Sequence, residues 1–151
     1  MTDVSFRHAT RTDVPQVLAL LLDDALGATR EATDIAPYLT AFDRMQEDGN
    51  NHLIVGADPD GTLIATYQIT FISGLSLRAA RRAQVESVRV ASHLRGQGIG
   101  HAMFADAEAR ARAAGCVLMQ LTMNSNRQDA RRFYESLGFA ATHHGFKRVL
   151  D

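Results

Sequence analysis

Apolar positions recur along the chain with two different periods, and each change of period marks a new element. Val14, Val17, Leu18, Leu21 and Ala25 stand at helical spacing, the pattern of one buried helix face. Thr12 is the expected cap of this helix, and Pro15 is tolerated in its first turn. A short strand over Val4–His8 precedes it. Gly27–Asp34 is polar and reads as loop. A second helix is predicted over Ala36–Glu47, with Tyr38, Leu39, Phe42 and Met45 apolar, ended by Gly49-Asn50-Asn51. The period then drops to two. His52–Ala57 and Thr62–Ile72 are predicted strands joined by Asp58-Pro59-Asp60-Gly61, residues that specify a turn. Leu63, Ala65, Tyr67, Ile69 and Phe71 alternate with mostly polar neighbours, so one face of that strand is expected to be buried.

The second half reads as strand, turn and helix. Val85–Ala91 is β-branched, Ser92–Gln97 is a polar turn, and a helix opens at Gly98 and runs to Ala114, where Gly115 stops it. Large apolar residues (Ile99, Met103, Phe104) give way to alanines that let this helix lie close to a sheet. Val117–Met123 is an apolar strand, so Val85–Met123 forms a β-α-β unit with parallel strands. A last helix is predicted over Gln128–Leu137, with Ala130, Phe133, Tyr134 and Leu137 at helical spacing, and Phe139–Leu150 should supply a final strand or hairpin. The loop Ser73–Arg82 carries Arg78, Arg81 and Arg82 and reads either as a solvated hairpin tip or as a contact for an acidic group.

Composition narrows the class. A chain of 151 residues with 46% hydrophobic content suits one core and one domain. A net charge of −1 offers no broad attraction to nucleic acid or to an anionic membrane. The single cysteine, Cys116, excludes an intrachain disulfide and an all-cysteine metal site, and its apolar surroundings suggest a buried thiol. His143 and His144 are adjacent, lack ligand partners at metal spacing, and imply no metal. The N-terminus lacks a signal-peptide pattern and the longest apolar run, Val17–Leu22, is too short to span a bilayer. The expected setting is cytoplasmic.

The chemistry concentrates where the turn becomes the helix. Gly96, Gly98 and Gly100 surround a helix start, where unpaired amides and the helix dipole favour a phosphate-type anion, and Arg95 adds a fork of donors. The P-loop pattern fails because no Lys-Ser or Lys-Thr follows. The dinucleotide pattern G-x-G-x-x-G fails because its last position falls on His101 or Met103. What remains is R-x-x-G-x-G, Arg95-Gly96-Gln97-Gly98-Ile99-Gly100. After one further helix and strand comes ARRFYESLGF, Ala130–Phe139.

The glycine hexapeptide resembles the acetyl-CoA-binding motif of the GCN5-related N-acetyltransferases (GNAT superfamily), and Ala130–Phe139 resembles that family's A-x-x-x-Y-E-x-L-G-F signature. The resemblance is firm over Val85–Phe139. It implies a mixed α/β fold: a mostly antiparallel sheet flanked by helices, with one parallel strand pair splayed at the cofactor site. It implies acetyl transfer from acetyl-CoA to an amine by direct attack on the thioester. By the same resemblance the pyrophosphate sits on the amides of Gly96, Gln97, Gly98, Ile99, Gly100 and His101 beside Arg95, and the pantetheine arm lies along Val88, Arg89 and Val90. Where the family often places an Asn that contacts this arm, the chain has Arg127, preceded by Asn126. Either residue is a candidate for that contact.

Tyr134 corresponds to the family's general acid. A phenol near pKa 10 and a thiol near 8.5 can hand over a proton, although Tyr134 also fits the apolar stripe as a core residue. Glu86 corresponds to the family's base, commonly acting through water. Its face is read as shared with Val88 and Val90, and the competing reading is a solvated or ion-paired strand residue. The acceptor pocket would be built from Ala25–Pro37 and Ser73–Gln84. A small-molecule amine is favoured because no acidic run is present to attract a lysine-rich tail. A protein lysine or N-terminal acceptor, and a regulatory acyl-CoA-binding module without turnover, are the alternatives. A homodimer is allowed by analogy with the family.

Overall fold

The computed structural model describes residues 3–24 and 27–151. Strands β1 (Ser5–His8), β2 (Asn51–Ala57), β3 (Leu63–Ile72), β4 (Arg82–Val90) and β5 (Leu118–Leu121) form one sheet in the order β1-β2-β3-β4-β5. Neighbours are antiparallel except β4 and β5, which are parallel. The helices are α1 (Val14–Leu22), α2 (Gly27–Arg30), α3 (Ala36–Asp48), the single turn α4 (Ser76–Ala79), α5 (Ile99–Ala113) and α6 (Gln128–Ser136).

Along β3 the five residues Leu63 to Tyr67 are all buried, where alternation predicted one buried face. Helices on both faces of the sheet explain the difference. The Tyr67 hydroxyl donates to Asp106 Oδ2 of α5 at 2.6 Å, so α5 covers the face of Tyr67, while α1 also packs on β3 and α3 on β2. Asp106 also accepts from Arg110 Nε at 2.8 Å, and burial, together with this carboxylate, pushes the Tyr67 phenol far up. The alanines do what their size allows: Ala107 and Ala111 are 1% and 2% exposed on the face that Met103 and Phe104 also bury. Burying one Met or Phe side chain contributes about 1.5–3 kcal/mol.

The first helix begins differently from expectation. A 3-10 turn, Arg11–Asp13, leads into α1, so the chain turns at Thr10 and Thr12 lies inside the turn instead of capping it. Asp13 reaches back to accept from the Thr10 amide at 2.8 Å and pairs with Arg7 Nη1 at 2.6 Å. On α1 the buried residues are Val14, Val17, Leu18 and Leu20, with Leu21 half-buried. Ala25, which the helical pattern included, lies outside the described residues.

Three further differences concern short elements. Gly27–Arg30 forms a helical turn within the segment read as loop. The strand expected over Val117–Met123 contracts to Leu118–Leu121, with Val117 73% exposed. The tail 139–151 forms no strand among the described residues, and Phe146, Val149 and Leu150 stand exposed. Its large apolar residues do not alternate, so a strand there would have no apolar face to bury.

Candidate functional site

A single irregularity in β4 creates the site. Pairing between β4 and β5 runs from Arg82↔Leu118 to Val85↔Leu121 and then stops. Two residues on, Ser87 has φ 53°, and the register with β3 slips by one between Thr66↔Arg89 and Gln68↔Glu86. This is a β-bulge, which bends its strand and increases the local twist. Among the described residues the β5-facing edge of Glu86–Val90 has no strand partner.

A cleft of about 710 Å³ opens there, within the range of small-ligand pockets. Val88, Arg89 and Val90 of β4 line one side. Arg95, Gly96, Gly98, Ile99, Gly100 and His101 line the next, and Arg127, just ahead of α6, completes the lining with Ala130, Phe133 and Tyr134 of that helix. The structure thus brings together most of the residues singled out in the sequence. Gln97, Asn126 and Glu86 do not line this cleft. Glu86 is exposed on β4 opposite Gln68. Its placement on the face of Val88 and Val90 assumed unbroken alternation, which the bulge at Ser87 interrupts.

The three glycines differ in what they do. Gly96 and Gly98 have φ of +80° and +83°, and a Cβ on either would meet nothing within 4 Å. Both hold a left-handed turn open toward the cleft, a conformation that costs other residues about 1–2 kcal/mol. Gly100 instead serves packing: a Cβ there would lie 2.9 Å from Cζ of Phe133. The first intrahelical bond of α5 runs from Ala102 N–H to Gly98 O at 3.1 Å, so the amides ahead of Ala102 have no partner within the helix. An open turn followed by the amides of Ile99, Gly100 and His101, which have no acceptor within the helix, flanked by Arg95 and Arg127, fits a polyphosphate.

Tyr134 sits in an aromatic cluster, with ring centroids 5.4 Å from Phe133, 5.6 Å from Phe104 and 6.2 Å from Phe139. Among the described residues its hydroxyl has no hydrogen-bond partner, and Tyr134 lines the cleft. Burial pushes the phenol up, while the positive charges of Arg127 and Arg89 oppose that shift. The group is therefore protonated at neutral pH. The ring of His101 packs edge-on against Phe133 at 5.2 Å.

Asp24 was missed in the sequence. It lines the cleft just past α1, and its Oδ2 lies 2.8 Å from Arg89 Nε. Burial resists its ionisation, but the Gly27 amide and the charges of Arg89, Arg127 and Arg95 prevail and hold its pKa below the usual carboxylate range. Two consecutive aspartates after an apolar helix were the available signal. Among the described residues no group of His, Cys, Asp and Glu is arranged to hold a metal ion, and no helix is long and apolar enough to cross a membrane.

A parallel strand pair opened over a glycine turn is the architecture of the acetyltransferases. The chain belongs to the acetyltransferase (GNAT) family, whose model matches residues 17–139. It is an acetyl-CoA-dependent N-acetyltransferase. The chain is 30% identical over 144 residues to the aminoalkylphosphonate N-acetyltransferase of Salmonella typhimurium, covering 95% of this chain and 90% of that protein. A transcriptional regulator from Bacillus halodurans has a crystal structure that matches with 40% identity and a TM-score of 0.93, covering 98% of this chain and 100% of that one. Glucosamine-6-phosphate N-acetyltransferase from Arabidopsis thaliana shares the fold, with 17% identity and a TM-score of 0.80 over 99% of both chains.

Proposed function

We propose that the protein acetylates the primary amine of a small molecule, and that the amine attacks the thioester directly. The observation that carries this reading is Tyr134, protonated, without a hydrogen-bond partner for its hydroxyl among the described residues, and lining a cleft walled by the glycine turn and the edge of β4. Acetyl-CoA supplies the activated acetyl group. The residues of the chain hold it, orient it and move protons. The amides from Gly96 to His101, with Arg95 and Arg127, bind the pyrophosphate. The open backbone edge of Val88–Val90 takes up the amides of the pantetheine arm.

Tyr134 gives its proton to the departing thiolate. Glu86, one residue before the bulge and open to solvent, takes the ammonium proton through water. A carboxylate is a far weaker base than an amine, and a water relay divides the step. The small acceptor is supported by the relative from Salmonella typhimurium, whose acceptors combine an amine with a phosphonate.

The test is release of free thiol from acetyl-CoA against a panel of aminoalkylphosphonates, amino acids, polyamines and a lysine-rich peptide. Wild type, Tyr134→Phe and Gly98→Trp are run side by side. Turnover with a small amine, abolished by Gly98→Trp and strongly reduced by Tyr134→Phe, is the expected result. Turnover with the peptide alone would move the acceptor to proteins. Tight acetyl-CoA binding with no turnover on any amine would favour a regulatory module.

A further inference from the structure

The turn that forms the cradle has no cap of its own. Ser92–Leu94 is a 3-10 turn preceded by Ala91, whose methyl group accepts no hydrogen bond, and alanine is among the poorest residues at such a position. The missing acceptor comes from far away in sequence. Asp23, at the end of α1, accepts from the Ser92 amide through Oδ2 at 2.8 Å and from the Ser92 hydroxyl through Oδ1 at 2.9 Å. Its carbonyl oxygen accepts from Arg95 Nη2 at 3.0 Å. One residue therefore holds both ends of the segment that leads into Gly96 and Gly98.

We propose that Asp23 is a positioning residue for the cofactor turn, acting through Ser92 and Arg95 to fix the cradle before the pyrophosphate arrives. This rests on the reading of that turn as the pyrophosphate site. The chemistry of the two contacts suits the task. A carboxylate on the Ser92 amide replaces the absent local cap. A carbonyl on Arg95 orients the guanidinium without a direct ion pair, although the Asp23 and Asp24 carboxylates lie near enough to feel its charge. By contrast Asp24 neutralises Arg89 through its carboxylate. Two adjacent aspartates thus treat two arginines differently: Arg89 is charge-paired along the strand, while Arg95 is oriented at the turn.

The experiment compares two acetyl thioesters by calorimetry: acetyl-CoA, and S-acetylpantetheine, which lacks the pyrophosphate. Asp23→Ala is expected to weaken acetyl-CoA binding about fivefold to tenfold, the effect of losing one cap, and to leave S-acetylpantetheine unchanged. In steady-state kinetics the loss falls on KM for acetyl-CoA, not on kcat. Asp23→Asn keeps an acceptor oxygen and recovers most of the affinity, and Ser92→Ala, which removes only the hydroxyl contact, gives a smaller loss than Asp23→Ala. Equal weakening toward both thioesters, or no weakening toward acetyl-CoA in a folded Asp23→Ala protein, overturns the proposal. If wild type itself bound the two thioesters equally, the pyrophosphate site would lie elsewhere, and the role of Asp23 would fall with it.

Discussion

Arg89 of β4 and Asp24 beyond α1 meet at 2.8 Å with 13% and 17% of their side chains exposed. The contact is one of charge more than of an aligned hydrogen bond, since Arg89 Nε–H finds no acceptor in good geometry and the guanidinium bonds the Val88 carbonyl through Nη1 at 3.0 Å. Removing one partner strands the other in a poorly solvated place. Asp24→Ala is expected to cost about 2 kcal/mol, somewhat less than breaking a fully buried pair. Changing both residues to leucine should cost less than Asp24→Ala alone. Urea unfolding of the three variants checks this, and a double variant worse than the single one would mean the pair stabilises beyond its desolvation.

Acid should destabilise the fold through identifiable carboxylates. Asp13 is lowered chiefly by Arg7, Asp23 chiefly by the Ser92 amide, and Asp24 by the Gly27 amide and its arginines against the resistance of burial. A carboxyl group depressed in the folded state contributes stability that is fully present above its unfolded pKa, about 3.9 for aspartate. That stability is lost as pH falls through the lower folded value. Urea midpoints are expected to hold steady from neutral pH to about 5 and to decline below about 4. Asp13→Asn should flatten that decline.

Tyr134→Phe separates chemistry from packing. The ring contacts to Phe104, Phe133 and Phe139 persist, so the melting temperature should not move. The expected loss is about 100-fold in kcat, the lower range for a positioned acid, with acetyl-CoA affinity retained. A mutant that melts earlier and turns over normally would make Tyr134 a core residue.

Glu86 is tested by steady-state kinetics on the amine. Glu86→Gln, which keeps the size and removes the negative charge, is expected to lower kcat/KM for the amine about 100-fold with acetyl-CoA affinity retained. An unchanged kcat/KM would assign the proton to bulk water or to another group.

The neighbouring glycines are distinguishable by substitution. Gly100→Ala pushes a methyl group to 2.9 Å from the Phe133 ring, and overpacking of this kind costs about 1–3 kcal/mol. Phe133→Leu introduced together with it should recover part of the loss. Gly98→Ala meets no neighbour but inherits φ of +83°, and its effect should appear in acetyl-CoA binding and not be rescued by Phe133→Leu.

The sequence disclosed what local chemistry dictates. Glycines at 96 and 98 demanded an open turn, helical spacing located α1, α3, α5 and α6, and the change of period located β2 and β3. What it concealed depends on contacts between distant segments. Thr12 looked like a cap because Pro15 follows it, yet the chain turns earlier, at Thr10. The bulge at Ser87 leaves no residue-type signal, since serine is an ordinary strand residue and the slip exists only relative to β3. Asp23 and Asp24 are unremarkable in sequence and gain meaning only when β4 and the segment leading into the glycine turn are folded against them. Tail residues 139–151 show the opposite error, an element inferred from its position in the chain without a pattern to sustain it.

Ser87 also sets a reading frame. Upstream of it, β4 completes the sheet, with Ala83 and Val85 buried at 0% and 2% exposure. Downstream, the same strand is out of phase by one residue, still pairs with β3 through Arg89 and Val90, and lines the cleft. A chain shortened by Ser87 would restore the phase and let β3 and β4 zip without interruption, at a gain in sheet continuity. It would also turn the side chains of Val88–Val90 to the opposite faces, so one serine sets the phase of the cleft wall as well as that of the sheet.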